Sequence, residues 1–369
     1  MTRLRNLAIG LSLMLASLLL LLLGLEIFLR LTIKNEADLY ANLTYSRSRD
    51  AEYFQRSFLT LYAEQEDWRR GIYDPYLGWD YNIENGRTRG DQVYSLLPEE
   101  DSLRIVAIGD SFVFGAQVND NETYPFYLES LLDNTEVLNM GVVGYGIDQA
   151  VLKYLKYGST YTPDLVILGT YPHDYVRTGL SFYGFSKPVF EYNDNNDSIE
   201  LTNTSIPPPQ EVFDELKRKL SPPVLYSYAF LENLALRAYW NRIDSGARER
   251  YFKEMDRIVE HILAELVEST QITNTKLLIV QVPSGSSFVN EETLSAAKRD
   301  DTQIHLLNIY AKLGIPYVDL LEGFTVGYSR EEVFNDLYIY KTDSTRGHFT
   351  PEGNLEVARI IKSKLEELR

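Results

Sequence analysis

The chain has 369 residues, with 36 lysine plus arginine against 53 aspartate plus glutamate and a formal charge of −17 at neutral pH. So acidic a chain disfavours nucleic acid or a bare anionic membrane as a partner and speaks mainly to solubility. The absence of cysteine excludes disulfides and thiolate metal sites without fixing a compartment.

Arg3 and Arg5 precede an uncharged, leucine-rich run from Asn6 to Leu25. About twenty apolar residues carry a helix across the hydrocarbon core of a bilayer. With no small-x-small cleavage site after Leu25, the run predicts a transmembrane anchor within residues 1–33 and not a cleaved signal. Arg30 and Lys34 lie beyond the run, but acids adjoin only that side and a short amino-terminal flank rarely translocates. The expected topology is amino terminus inside and body outside, in the periplasm or the extracellular space. Residues 34–100 are polar and tyrosine-rich. They predict a juxtamembrane stalk with edge elements: a helix around Tyr53 to Trp68, then the turn-rich aromatic segment Tyr73-Asp74-Pro75-Tyr76-Leu77-Gly78-Trp79 packed on the body.

Residues 101–369 form the expected main domain. Positions 103 to 108 are mostly apolar with three β-branched side chains, as in a strand covered on both faces, and Gly109-Asp110-Ser111 breaks that strand. A serine just past the carboxyl end of a parallel strand stands where open α/β sheets bind ligands, which makes Ser111 a candidate nucleophile. The plainer reading is a serine that bonds its own turn. The pattern continues as helix Tyr124 to Leu132, strand Glu136 to Met140, helix Ile147 to Tyr157 and strand Asp164 to Leu168. An excursion from about residue 178 to 246 interrupts it. This stretch holds a hairpin, Val189 to Tyr192 against Ser198 to Leu201, then Pro207-Pro208-Pro209 and an aromatic-rich helical piece, and its expected role is a cap. The alternation resumes with helix Arg250 to Glu268, strand Lys276 to Val282, helix Thr302 to Leu313, strand Pro316 to Leu320 and a terminal helix. Right-handed βαβ units in this order predict an α/β, flavodoxin-like three-layer sandwich with a five-stranded parallel sheet, the inserted cap and the amino-terminal transmembrane helix.

Thr350, Pro351 and Glu352 mark the start of the terminal helix, and Leu355, Ala358, Ile361 and Leu365 share one of its faces. His348 is therefore expected in the loop before that helix, on the same sheet edge as Ser111, as a candidate general base. No two of the four histidines have the spacing that brings imidazoles onto one metal, so neither metal nor cofactor is expected. Two glycine-bearing turns leave strands toward that edge: Asn139-Met140-Gly141-Val142-Val143-Gly144-Tyr145-Gly146 and Gly169-Thr170-Tyr171-Pro172-His173-Asp174. They are candidates for an oxyanion site or ordinary strand-to-helix turns.

Together these residues resemble the SGNH hydrolases, also called GDSL-like esterases. Gly109-Asp110-Ser111-Phe112 is similar to the first block, Gly144 in Asn139-x-Gly141-x-x-Gly144 to the second, Gly169 to Asp174 to the third, and Gly347-His348-Phe349-x-Pro351-Glu352-Gly353-Asn354 to the last. The resemblance covers Leu103 to the carboxyl end apart from the insertion, and the anchor and stalk look like those of bacterial membrane-anchored members. It implies Ser111 as nucleophile, His348 as base and the Gly144 amide in the oxyanion hole. Two positions depart from the family pattern. His173, before Asp174, stands where the family has an asparagine donor, and the aspartate usual two or three residues before the base is absent, leaving Asp343 as the nearest acid and tentative orienter. The implied function is a membrane-anchored serine esterase or O-acyltransferase acting on an ester, such as O-acetyl groups of an envelope or exported glycan. The alternative is a catalytically idle scaffold that binds glycan or partner proteins through the same groove.

Overall fold

The computed structural model describes residues 2–40, 47–63, 71–220, 222–242, 245–288, 301–342 and 345–368. They fall into two compact units, Met1–Trp68 with Pro209–Tyr251, and Arg69–Pro208 with Phe252–Arg369.

The first unit is helical. Its amino-terminal helix, Thr2–Thr32, contains the stretch Arg3–Thr32 that is long and apolar enough to cross a membrane, with the apolar window fully unburied. The helices Arg47–Ala63 and Pro209–Lys219 meet through Tyr62 and Phe213, whose ring centroids lie 4.9 Å apart. Tyr226–Arg242 completes the unit against the amino-terminal helix.

The second unit holds a five-stranded parallel sheet: β1 (Leu103–Ile108), β2 (Thr135–Asn139), β3 (Leu165–Thr170), β4 (Lys276–Gln281) and β5 (Tyr317–Asp319), in the spatial order β2-β1-β3-β4-β5. This is the flavodoxin-like doubly wound order, whose ligand crevice lies at the carboxyl ends of the strands beside the switch point between β1 and β3. Burial on both faces explains the unbroken apolar runs. Ile105, Ala107, Val137, Ile167, Leu278 and Val280 join one core with Leu128, Leu321 and Val357. The alternate residues Val106, Ile108, Val166, Leu168 and Ile279 are equally buried and turn to the opposite face, as the two-residue strand period requires.

The unit boundaries differ from the sequence boundaries at two places. Residues 71–100, expected as edge elements beyond the stalk with the segment 73–79 packed on the body, lie in the sheet-bearing unit. Their hairpin, Ile72–Asp74 with Gly78–Asp80, is held by charge: Lys153 Nζ lies 2.6 Å from Asp80, and Arg87 reaches Asp74 at 2.8 Å and Asp80 at 2.5 Å. The Lys153 and Asp80 side chains have no exposure, so each charge depends on the other for compensation. The inserted segment is likewise divided at 208/209, and its hairpin Val189–Asn193 with Ser198–Thr202 stays with the sheet-bearing unit.

His348, expected in a loop, lies on a strand. Tyr338–Thr342 and Thr345–Phe349 form an antiparallel pair, stabilised where Tyr338 and Phe349 face each other with ring centroids 5.0 Å apart. Thr350 then caps the terminal helix Pro351–Glu367, its hydroxyl accepting from Gly353 N at 3.0 Å. Inside that helix, buried Asn354 accepts from the backbone N–H of Tyr124 at 3.0 Å and donates to Thr350 O at 3.0 Å. Asn354→Ala strands a buried N–H, which costs about 1–3 kcal/mol. The expected outcome is a lower urea midpoint with an unchanged slope; an unchanged midpoint would show that water satisfies Tyr124 N.

Candidate active site

The site begins where β1 ends. The short helix Ser111–Phe114 follows at once and is seated by Val113 in a socket of three glycines. A Cβ on Gly109 or Gly169 would lie 2.4 Å from Val113 Cγ2, and one on Gly141 would lie 2.4 Å from Phe114 N. Only residues without side chains at the ends of β1, β2 and β3 let the turn approach this closely. Asp110 caps the helix, Oδ1 accepting from Phe112 N at 2.9 Å. The chain then runs through Gly115 and Gln117, both in the left-handed region at φ +73° and +76°. Arg89 clamps this loop. Its guanidinium donates to the carbonyls of Phe114, Gly115 (2.5 Å) and Val118 (2.7 Å), and pairs with Asp120 at 2.7 Å.

Ser111 Oγ lies 2.8 Å from His348 Nε2, and His348 Nδ1 lies 2.8 Å from Gln117 Oε1. The protonation pattern follows from a third contact. The backbone N–H of His348 also donates to Gln117 Oε1, at 3.2 Å. A backbone N–H only donates, so the amide atom facing it is oxygen. That oxygen only accepts, so Nδ1 carries a proton, and in the neutral ring Nε2 keeps a lone pair that can accept from the Ser111 hydroxyl. Gly347 makes room for this arrangement, because a Cβ there would lie 2.6 Å from Gln117 Oε1. Phe112 packs beside the imidazole with centroids 5.0 Å apart.

Beneath the serine, Arg177 Nη1 joins two buried carboxylates, Asp110 Oδ2 at 3.1 Å and Asp174 Oδ1 at 2.8 Å. Ser111 Oγ lies 3.3 Å from that same Asp110 oxygen. Asp174 also accepts from Tyr171 N at 2.8 Å. Burial, and then the Asp110 charge, push the Asp174 carboxyl well above the usual carboxylate range, with Arg177 opposing.

Ser111 and His348 are thus brought together. Gly144, at φ +83°, stands on the turn after β2. His173 stands in the first turn of the helix after β3, Pro172–Thr178. It is exposed, and its ring is stacked on Tyr171 at 5.3 Å. Asp343 lies outside the described residues. Gln117 was not legible in the sequence, since no spacing or residue type marks a glutamine six positions after a serine as a partner of a histidine 231 positions further on. Among the described residues, no three histidine, aspartate or glutamate side chains are arranged to hold a metal ion.

No protein-family model matches the chain, and no curated protein does. Similar solved structures include a member of the lipolytic protein G-D-S-L family from Veillonella parvula (12% identity, covering 71% of this chain and 97% of that one, TM-score 0.38). A GDSL-like lipase from Bacteroides thetaiotaomicron (15%, 72% and 89%, 0.37) and an acetyl xylan esterase, AlAXEase (13%, 71% and 99%, 0.39), are also similar.

The raised Asp174 pKa has a consequence for stability. The fold favours the protonated form, so its contribution is complete below the unfolded value near 4 and is lost as pH rises through the folded value. Asp174→Asn removes this titration while keeping an amide in place. The wild-type melting temperature is expected to fall more steeply than that of the variant from pH 4 toward neutrality; parallel curves would mean that Asp174 does not titrate in the fold.

Proposed function

We propose that this chain is a serine esterase or O-acyltransferase, held at a membrane by its amino-terminal helix, that works through an acyl-enzyme on Ser111. The observation that carries the reading is the 2.8 Å contact between Ser111 Oγ and Nε2 of His348, at the carboxyl edge of a doubly wound sheet. In the first step the serine proton passes to Nε2 while Oγ bonds to the acyl carbon. The ester C–O bond then breaks, and the alcohol leaves with the proton from His348. Water, or the hydroxyl of an acceptor, then gives a proton to His348 as its oxygen bonds to the acyl carbon; the bond from that carbon to Ser111 Oγ breaks, and His348 returns the proton to Oγ. The expected donors to the oxyanion are the amides of Ser111 and Gly144, with His173 in place of the usual asparagine. Acetylated glycans of the cell envelope or exported ones suit an extracytoplasmic enzyme, and an acetyl xylan esterase is among the similar structures.

In this mechanism Gln117 is a positioning residue. It holds the imidazole in the productive tautomer, the task usually given to an acid, but it adds no negative charge to stabilise imidazolium. Asp343 is the other candidate for the orienting role, on the resemblance alone.

A fluorophosphonate is expected to label Ser111 in the full chain. The label should be lost in Ser111→Ala and strongly reduced in His348→Ala. Wild type that stays unlabelled where a known serine esterase reacts would favour an idle scaffold. General-base catalysis contributes roughly 10²–10⁴-fold, so Gln117→Ala is expected to lower kcat by about tenfold or more with KM little changed. Gln117→Glu puts an opposite charge at Nδ1 and favours imidazolium. The base must be neutral to act, so the acid limb of the pH–rate profile should move to higher pH. Equal rates and profiles in both variants would remove Gln117 from the mechanism and return the role to Asp343.

A further inference from the structure

The helical unit carries a feature that the proposed chemistry does not use. The uncharged run of the amino-terminal helix ends at Leu25, and the next residue, Glu26, is buried. Its carboxylate accepts from Ser227 N and Ser227 Oγ, both at 2.7 Å, from Tyr226 N at 3.1 Å and from Arg30 at 2.6 Å. Arg30 in turn donates to Val224 O at 3.0 Å and lies 4.6 Å over the Tyr226 ring. The start of the helix Tyr226–Arg242 is therefore fastened to the amino-terminal helix between positions 26 and 30.

At a rise of 1.5 Å per residue this level is about 2–8 Å beyond the end of the apolar run. The headgroup region of a bilayer is roughly 5–8 Å deep on each side of its core. The side chains at this level have the matching character. Val224 is 88% exposed, Leu225 52% and Tyr228 65%, and Phe28 and Leu31 on the anchor helix are exposed too. Just before them, Lys217, Arg218 and Lys219 are all exposed, three consecutive cations in a chain whose net charge is −17.

We propose that residues 217–219 and 224–228 are a second membrane contact. Val224, Leu225 and Tyr228 enter the boundary between headgroups and acyl chains of the same bilayer that holds Thr2–Thr32, and Lys217, Arg218 and Lys219 lie on anionic headgroups. Exposed aliphatic side chains beside interfacial tyrosine and a basic cluster are the composition that binds this zone. The proposal rests on the membrane reading of the amino-terminal helix and is independent of the chemistry at Ser111.

The chain has no cysteine, so single cysteines report on one position each. Leu225→Cys and Val224→Cys are spin-labelled in the full chain, reconstituted in vesicles of phosphatidylethanolamine and phosphatidylglycerol. Leu15→Cys serves as the core reference and Glu215→Cys as the exposed one. Collision with lipid-dissolved oxygen is compared with collision with a water-soluble nickel complex. The labels at 224 and 225 are expected to favour oxygen several-fold over the label at 215, and less than the label at 15. Reversing Lys217, Arg218 and Lys219 to glutamate is expected to move the 225 label toward water in these vesicles but not in pure phosphatidylcholine. A water-like signal at 224 and 225 with a lipid-like signal at 15 overturns the proposal and leaves the anchor standing. Protection from both quenchers at 224 and 225 also overturns it, in favour of cover by protein. A water-like signal at 15 removes the anchor and the proposal together.

Discussion

The sheet-bearing unit is organised around a close approach. Val113 reaches into a socket made by the last glycines of three neighbouring strands, Gly109, Gly141 and Gly169, with gaps that no side chain can enter. The socket fixes the short helix that presents Ser111, and it fixes it to three strands at once. Any shift of one strand along another would therefore move Ser111. Gly141 and Gly169 lie in the two turns that suggested an oxyanion site, and both serve there for packing. Gly144, three residues beyond Gly141, takes a left-handed conformation.

The second constraint is the neutral amide behind the imidazole. A carboxylate at that position would fix the tautomer and stabilise the charged ring together, whereas a glutamine oxygen can only do the first. The cost of holding Gln117 there is visible in its positive φ, in the Arg89 clamp on the carbonyls around it, and in a glycine at position 347. Such strain persists where the surrounding structure over-determines it. Negative charge is not missing from the neighbourhood. It is stored below the serine, in Asp110 against Arg177, where it faces the hydroxyl instead of the imidazole.

The division of the inserted segment is a further architectural point. Its first part, through the hairpin at 189–202, is tied into the sheet-bearing unit, where Lys187 is buried against Asp148. Its second part forms helices with the amino-terminal segment, joined by Glu26 and by Tyr62 against Phe213. One insertion thus supplies both a charged plug in the sheet-bearing unit and the partner helices of the amino-terminal helix.

Local chemistry was sufficient for much of this. The apolar runs of β1 to β4, the hairpin at 189–202, the Thr350 cap and the apolar face of the terminal helix were legible because each depends on residues within one element, and strand and helix periods are local properties. The positions of Ser111 and His348 followed from the alternation, which puts every βα turn on one edge. What the sequence left open depends on distance in space. His348 sits on a strand because Tyr338 pairs with Phe349, and Gln117 meets His348 across 231 residues through a left-handed turn clamped by Arg89. Residues 71–100 belong to the sheet-bearing unit because Asp80 is neutralised by Lys153, far along the chain. Burial and charge compensation are properties of the packed molecule, and no local pattern encodes which distant group will supply them.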